Sequence, residues 1–87
     1  MINREKLGVV ASEWPTLSVP DPVQNTYERL VAHLPSDIQA HEIGRGYHNA
    51  GWGYTEVEVR APTWSRAYDE AERIDMECSI ALQLGED

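Results

Sequence analysis

Lysine occurs once in this sequence and arginine six times, against fifteen aspartates and glutamates, for a net charge of −8. Phosphate backbones are held by clustered Lys and Arg, so six scattered arginines exclude a conventional nucleic-acid binder. Cysteine also occurs once, as Cys78, which excludes an internal disulfide and a multi-cysteine zinc site. No apolar run approaches the ~20 residues of a membrane-spanning helix. The opening Met1-Ile2-Asn3-Arg4-Glu5-Lys6-Leu7 has no long apolar core behind its charges and does not read as a signal peptide. These absences predict a cytoplasmic protein without a metal or cofactor.

What is present fits one globular domain spanning residues 1–87, with 41% hydrophobic and 25% charged residues. A domain this small has a thin stability margin, and a protein partner or a second copy can supply part of its buried surface. The charge is concentrated at one end. Residues 67–87 hold Asp69, Glu70, Glu72, Asp75, Glu77, Glu86 and Asp87 against Arg73 alone.

Leu7, Val10, Ala11 and Trp14 recur at helical spacing and predict a first helix over about 3–13, with a short strand over 7–11 as the alternative. Pro15 to Pro22 reads as an extended connector. Asp21 as cap, Pro22 at the first helical position and Gln24 at the capping-box position then open a helix predicted over 22–34. Val23, Tyr27, Leu30, Val31 and Leu34 share its apolar face, and Pro35 stops it.

Residues 37–48 and 52–61 read as a β-hairpin around Asn49-Ala50-Gly51. In its second strand Thr55, Val57, Val59 and Ala61 alternate with Tyr54, Glu56, Glu58 and Arg60, the latter set expected to face water. The first strand changes phase between Ala40 and Ile43, beside Gly44 and Gly46, which predicts a bulge. From Thr63 the period is helical again. Trp64, Ala67, Tyr68, Ala71, Ile74, Cys78, Ala81 and Leu82 form one stripe, with Thr63 or Ser65 as cap and Gly85 at the end. Met76, Cys78, Ile80, Leu82 and Leu84 also alternate as a strand would. The long helix is preferred, because no Gly or Pro interrupts 74–84 and only Ile80 after Ile74 is β-branched.

Four groups of residues invite a functional reading. His33, His41 and His48 lack the spacing of a metal site, and an unbroken strand would put His41 and His48 on opposite faces. Cys78, on the core stripe beside Glu77, reads as a small buried hydrophobe rather than a nucleophile. Glu56 and Glu58 share a strand face as an acid–base pair would, but alternating glutamates on the wet face of a hairpin are commoner. Around the turn, Tyr47, Trp52 and Tyr54 are candidate anchors for a protein partner. Gly51-Trp52-Gly53-Tyr54-Thr55-Glu56-Val57 is similar to the base-stacking motif of RNA-recognition domains, without its leading basic residue or its last aromatic.

The last helix carries a second apolar line, Met76, Ile80 and Leu84, at i, i+4 and i+8, away from the main stripe. A lone surface helix is polar there. Burial on both sides, by the fold or by another chain, is therefore expected.

The run Tyr54-Thr55-Glu56-Val57-Glu58-Val59-Arg60-Ala61-Pro62-Thr63, continued by Ser65 to Ile74 and preceded by the helix Tyr27 to Pro35, resembles bacteriophage tail-terminator and tail-completion proteins. In that family a Val-alternating strand passes through a small-residue turn into an Ala-spaced helix. The resemblance implies a ring-forming assembly role and carries no catalytic residues.

The expectation is an α+β fold: one or two N-terminal helices, a central antiparallel hairpin and a long C-terminal helix packed on it. Function is expected to be non-enzymatic protein binding, with tail assembly as the specific lead and homo-oligomerisation open. Tyr47, Trp52, Tyr54, Glu56, Glu58, Asp69, Glu70, Glu72, Met76, Ile80 and Leu84 are the candidate contact residues. The alternative is an acidic inhibitor that presents carboxylates to the basic groove of a nucleic-acid-handling enzyme. Phage anti-CRISPR and anti-restriction proteins have this size and charge. An enzyme ranks third, since no nucleophile–base pair can be assembled.

Overall fold

The computed structural model describes residues 2–3, 13–48 and 51–85. The helix expected over 3–13, and its strand alternative, lie largely outside these residues. The fold is α+β. Strands β1 (Ile2–Asn3), β2 (Thr16–Pro20), β3 (Gln39–His48) and β4 (Trp52–Arg60) form an antiparallel sheet in the order β1-β2-β4-β3. Helices α1 (Gln24–Val31) and α2 (Trp64–Leu84) pack on one face of it. Among the described residues no helix is long and apolar enough to cross a membrane.

The segment expected to be a connector is an interior strand. In β2, Leu17 and Val19 alternate with Thr16 and Ser18, and the register pairs Leu17 with Val57 and Ser18 with Glu56. Proline is excluded from the middle of a sheet by its missing N–H, and here Pro15 precedes the paired stretch while Pro20 is its last residue, opposite Tyr54. Pro15 still takes part through its carbonyl, which accepts from the Val59 amide at 3.0 Å.

The first full helix is shorter than its apolar spacing predicts. A 3₁₀ turn, Asp21–Val23, precedes α1, and the chain leaves α1 after Val31. His33 and Leu34 donate to the carbonyls three residues back, Leu30 and Val31. That tightening precedes Pro35, whose ring disfavours α geometry at Leu34. The expected capping box is absent. Pro20 holds the N-cap position without a side-chain bond, and Asp21 instead accepts from Arg45 Nη2 at 3.0 Å. Gln24 Nε2 donates to the Val19 carbonyl and to Thr55 Oγ1, and Arg45 Nη1 also donates to Thr55 Oγ1 at 2.9 Å. These bonds tie the entry of α1 to β3 and β4.

The hairpin stands as expected. Gly51 supplies the turn with φ 104°, a conformation that glycine adopts without steric cost. The β3–β4 register slips between Glu42 and Gly44, so the phase change in the sequence is a β-bulge.

Helix α2 runs unbroken over 21 residues, which settles the helix–strand ambiguity. Thr63 caps it by accepting from the Arg66 amide, and Gly85 ends it in the left-handed conformation at φ 69°. Ala67, Ala71, Ile74 and Cys78 are buried against Leu17, Val19, Val57 and Val59. Trp64 and Tyr68, expected on the same core stripe, are only half-buried and stack on each other with ring centres 5.3 Å apart.

Candidate functional site

The hairpin does not gather its aromatics into one patch. Tyr47 pairs with Gly53, while Trp52 and Tyr54 pair with His48 and Gly46. Alternation therefore places Tyr47 on one face of the sheet and Trp52 and Tyr54 on the other. Tyr47 is 74% exposed, and Trp52 and Tyr54 are half-buried. The Tyr54 ring lies across Gly46, where an added Cβ would meet it at 2.3 Å.

Glu56 and Glu58 are not on a wet surface. Glu56 is 2% exposed and Glu58 6%, which corrects their assignment both to solvent and to a partner. β4 is an interior strand with β2 and β3 on either side. Ser18 Oγ donates to Glu56 Oε1 at 2.5 Å, and Arg60 Nε donates to Glu58 Oε1 at 2.6 Å. A general acid or base must reach a substrate proton, and both carboxylates are enclosed and engaged within the fold.

A groove of about 550 Å³ opens between α1 and β3, lined by Tyr27, Glu28, Val31, Ala32, Ala40, His41 and Glu42. Burial, and then the Glu42 and Cys78 charges, push the Tyr27 hydroxyl up to about 12, so it stays protonated at neutral pH and is a poor base. Cys78 is buried, as expected. Among the described residues no three His, Cys, Asp or Glu side chains are grouped to hold a metal ion.

The remaining candidate is the outer face of α2. Met76, Ile80 and Leu84 are 58%, 47% and 65% exposed. At 100° per residue they lie about 150° around the helix from the line of Ala67, Ala71, Ile74 and Cys78. They form an unbroken apolar line about 12 Å long, from Met76 to Leu84 at 1.5 Å per residue. Of the two burials foreseen, a fold-back onto the described part of this chain is excluded by the exposure itself.

The charges around this line are ordered. Asp69, Glu72 and Glu77 are exposed. Glu70, expected among the contact residues, is instead 7% exposed. It accepts from Arg73 Nε at 2.8 Å and Nη2 at 3.3 Å, and this bond chiefly raises the Arg73 guanidinium above its ordinary value. Arg66 is likewise held by Asp37, whose carboxyl is lowered mainly by that hydrogen bond. The i,i+3 spacing of Glu70 and Arg73 was the sequence signal for the first pair. No sequence signal marked the second, because 29 residues separate its partners.

Comparison with known protein families, with curated proteins and with solved structures finds no match to this chain.

Proposed function

We propose that the protein works by binding other proteins and performs no chemistry of its own, with the outer face of α2 as its docking surface. The exposed line of Met76, Ile80 and Leu84 carries the reading. Three large apolar side chains aligned in water are what a monomer avoids and an interface uses. Each is worth roughly 1.5–3 kcal/mol on full burial. The specific form we propose is an assembly subunit of the phage tail-terminator kind. Its support is the resemblance of the segments that form α1, β4 and the first half of α2.

The test is capture of binding partners from host lysate by the parent chain and by a Met76→Glu/Leu84→Glu variant, with bound proteins identified by mass spectrometry. A structural assembly protein retained by the parent and lost from the variant is the expected result. Prey held equally by both would remove α2 from the reading.

A second reading is favoured by the charge order on α2. Arg66 and Arg73 are engaged by Asp37 and Glu70, while Asp69, Glu72 and Glu77 stay exposed. The helix thus presents net negative charge to a basic surface, as an acidic inhibitor of a nucleic-acid-handling enzyme would. Under that reading the captured partner is a nuclease or helicase. Its association rate then falls steeply as ionic strength rises, because the Debye length is only ~8 Å at physiological salt. A rate that stays flat from low to high salt would exclude charge steering.

A further inference from the structure

We propose that the open edge of β3 takes up an extended, basic peptide segment of another protein, which joins the sheet as a fifth strand in the groove beside α1. This site is separate from the outer face of α2 and does not depend on it.

The sheet ends at β3. It has β4 on one side and, among the described residues, no strand on the other. Strand residues turn their backbone N–H and C=O alternately to either side, so alternate residues of β3 offer donors and acceptors outward. Such an edge is a template for another main chain. His41 and Glu42 are exposed, while Glu58 and Val57, opposite them in β4, are buried. The register slip between Glu42 and Gly44 bends the edge. Regular pairing is therefore confined to 39–42, about 10 Å of strand at 3.3 Å per residue.

The groove sets the side chains. Ala40 and Glu42 pair with Val59 and Val57, which face the helices, so both turn to the α1 side. Tyr27, Val31 and Ala40 give the groove an apolar lining, and the exposed Glu28 and Glu42 make it negative. No Lys or Arg lines it among the described residues. After burial, the Glu42 charge is the next cause of the raised Tyr27 hydroxyl, which sets that carboxylate close to the groove wall. On an added strand, residues two apart lie beside Ala40 and Glu42. An apolar side chain suits the first and a Lys or Arg the second. Antiparallel addition, the more stable pairing, puts the basic residue first and the apolar one two positions later. A second copy pairing through this edge would bring the same carboxylates to it, in a chain of net charge −8.

The probe is a capped, fluorescently labelled heptapeptide, Ser-Thr-Lys-Thr-Val-Thr-Ser, titrated with the full chain and read by anisotropy. Saturable binding is expected, with a dissociation constant on the order of 0.1–1 mM for so short a contact. Replacing the peptide's Lys by Glu should weaken binding roughly three- to tenfold. Glu42→Lys, at an exposed position, should reverse that preference, which also shows that the variant is folded. Strand addition has a period of two. N-methylation of the Lys and Val amides, or of the Thr amides, should therefore abolish binding for one set and spare it for the other. Amide resonances of the isotope-labelled chain should shift at 39–42 and in α1, and not at 76–84.

No saturable binding up to about 1 mM chain overturns the proposal. So does equal affinity for the Lys and Glu peptides, equal loss for both methylated sets, or a shift map centred on α2. If the chain dimerises and its 39–42 amides become protected from hydrogen exchange in the dimer, the edge belongs to a second copy and the proposal is wrong. None of these results bears on Met76, Ile80 and Leu84, whose role the lysate capture reads separately.

Discussion

Truncation of Ile74 to alanine is expected to lower the unfolding free energy by about 2–5 kcal/mol, while Ile80→Ala shifts it by no more than about 0.5 kcal/mol. The two isoleucines sit on one helix, six residues apart. Ile74 is fully buried in the cluster formed with Leu17, Val19, Val57 and Val59. Removing its outer carbons forfeits their transfer from water and leaves a cavity that close-packed neighbours only partly fill. Ile80 is 47% exposed, and little is lost on its truncation. Stability in a domain of this size is of order 5–15 kcal/mol, so the Ile74 variant loses a large fraction of it. Urea unfolding of each variant against the parent measures both. Equal losses at the two positions would show that the outer face of α2 is packed within the monomer.

Raising the pH from about 10 to 12 is expected to cost the parent chain about 2 kcal/mol through Tyr27 alone. Tyr27 is 6% exposed, and its hydroxyl is pushed up to about 12 from the ordinary 10.0, first by burial and then by the charges of Glu42 and Cys78. A raised value in the folded state means that folding favours the protonated phenol. Below pH 10 the phenol is protonated in both states and its contribution is fully present. As pH climbs toward 12 the unfolded chain ionises first, and the contribution is lost. Tyr27→Phe removes this dependence. The stability difference between parent and variant, read by urea unfolding at about pH 9 and pH 11.5, should therefore move in favour of the variant at the higher pH. A difference that does not change with pH would mean that the phenol ionises within the fold without penalty.

The buried carboxylates show where reading a sequence reaches its limit. Strict alternation in β4 correctly put Val57 and Val59 on the helix-facing side. The same alternation implied that Glu56 and Glu58 face water, because a strand pattern states which residues share a face and not what lies over it. In the fold both are enclosed, and Ser18 and Arg60 donate to them, neither of which the alternation states. β2 could have been found from its own alternation of Leu17 and Val19 with Thr16 and Ser18. The prolines around it point to a connector, yet their place at the ends of the paired stretch is compatible with a strand.

By itself the sequence determined the elements whose signals are local. The hairpin around Gly51, the bulge at the phase change, the extent of α2 with its Thr63 and Gly85 caps, and the burial of Cys78 all follow from backbone preferences and periodicity within a few residues. Tertiary structure alone decided that β2 lies inside the sheet and that Glu56, Glu58 and Glu70 are enclosed. It also left the second apolar line of α2 exposed, where the pattern pointed to burial on both sides. Each of these depends on residues distant along the chain, brought together only when the whole fold forms. One helix cannot turn two opposite faces to the same sheet. The larger line, Ala67 to Cys78, is buried, and Met76, Ile80 and Leu84 remain outside.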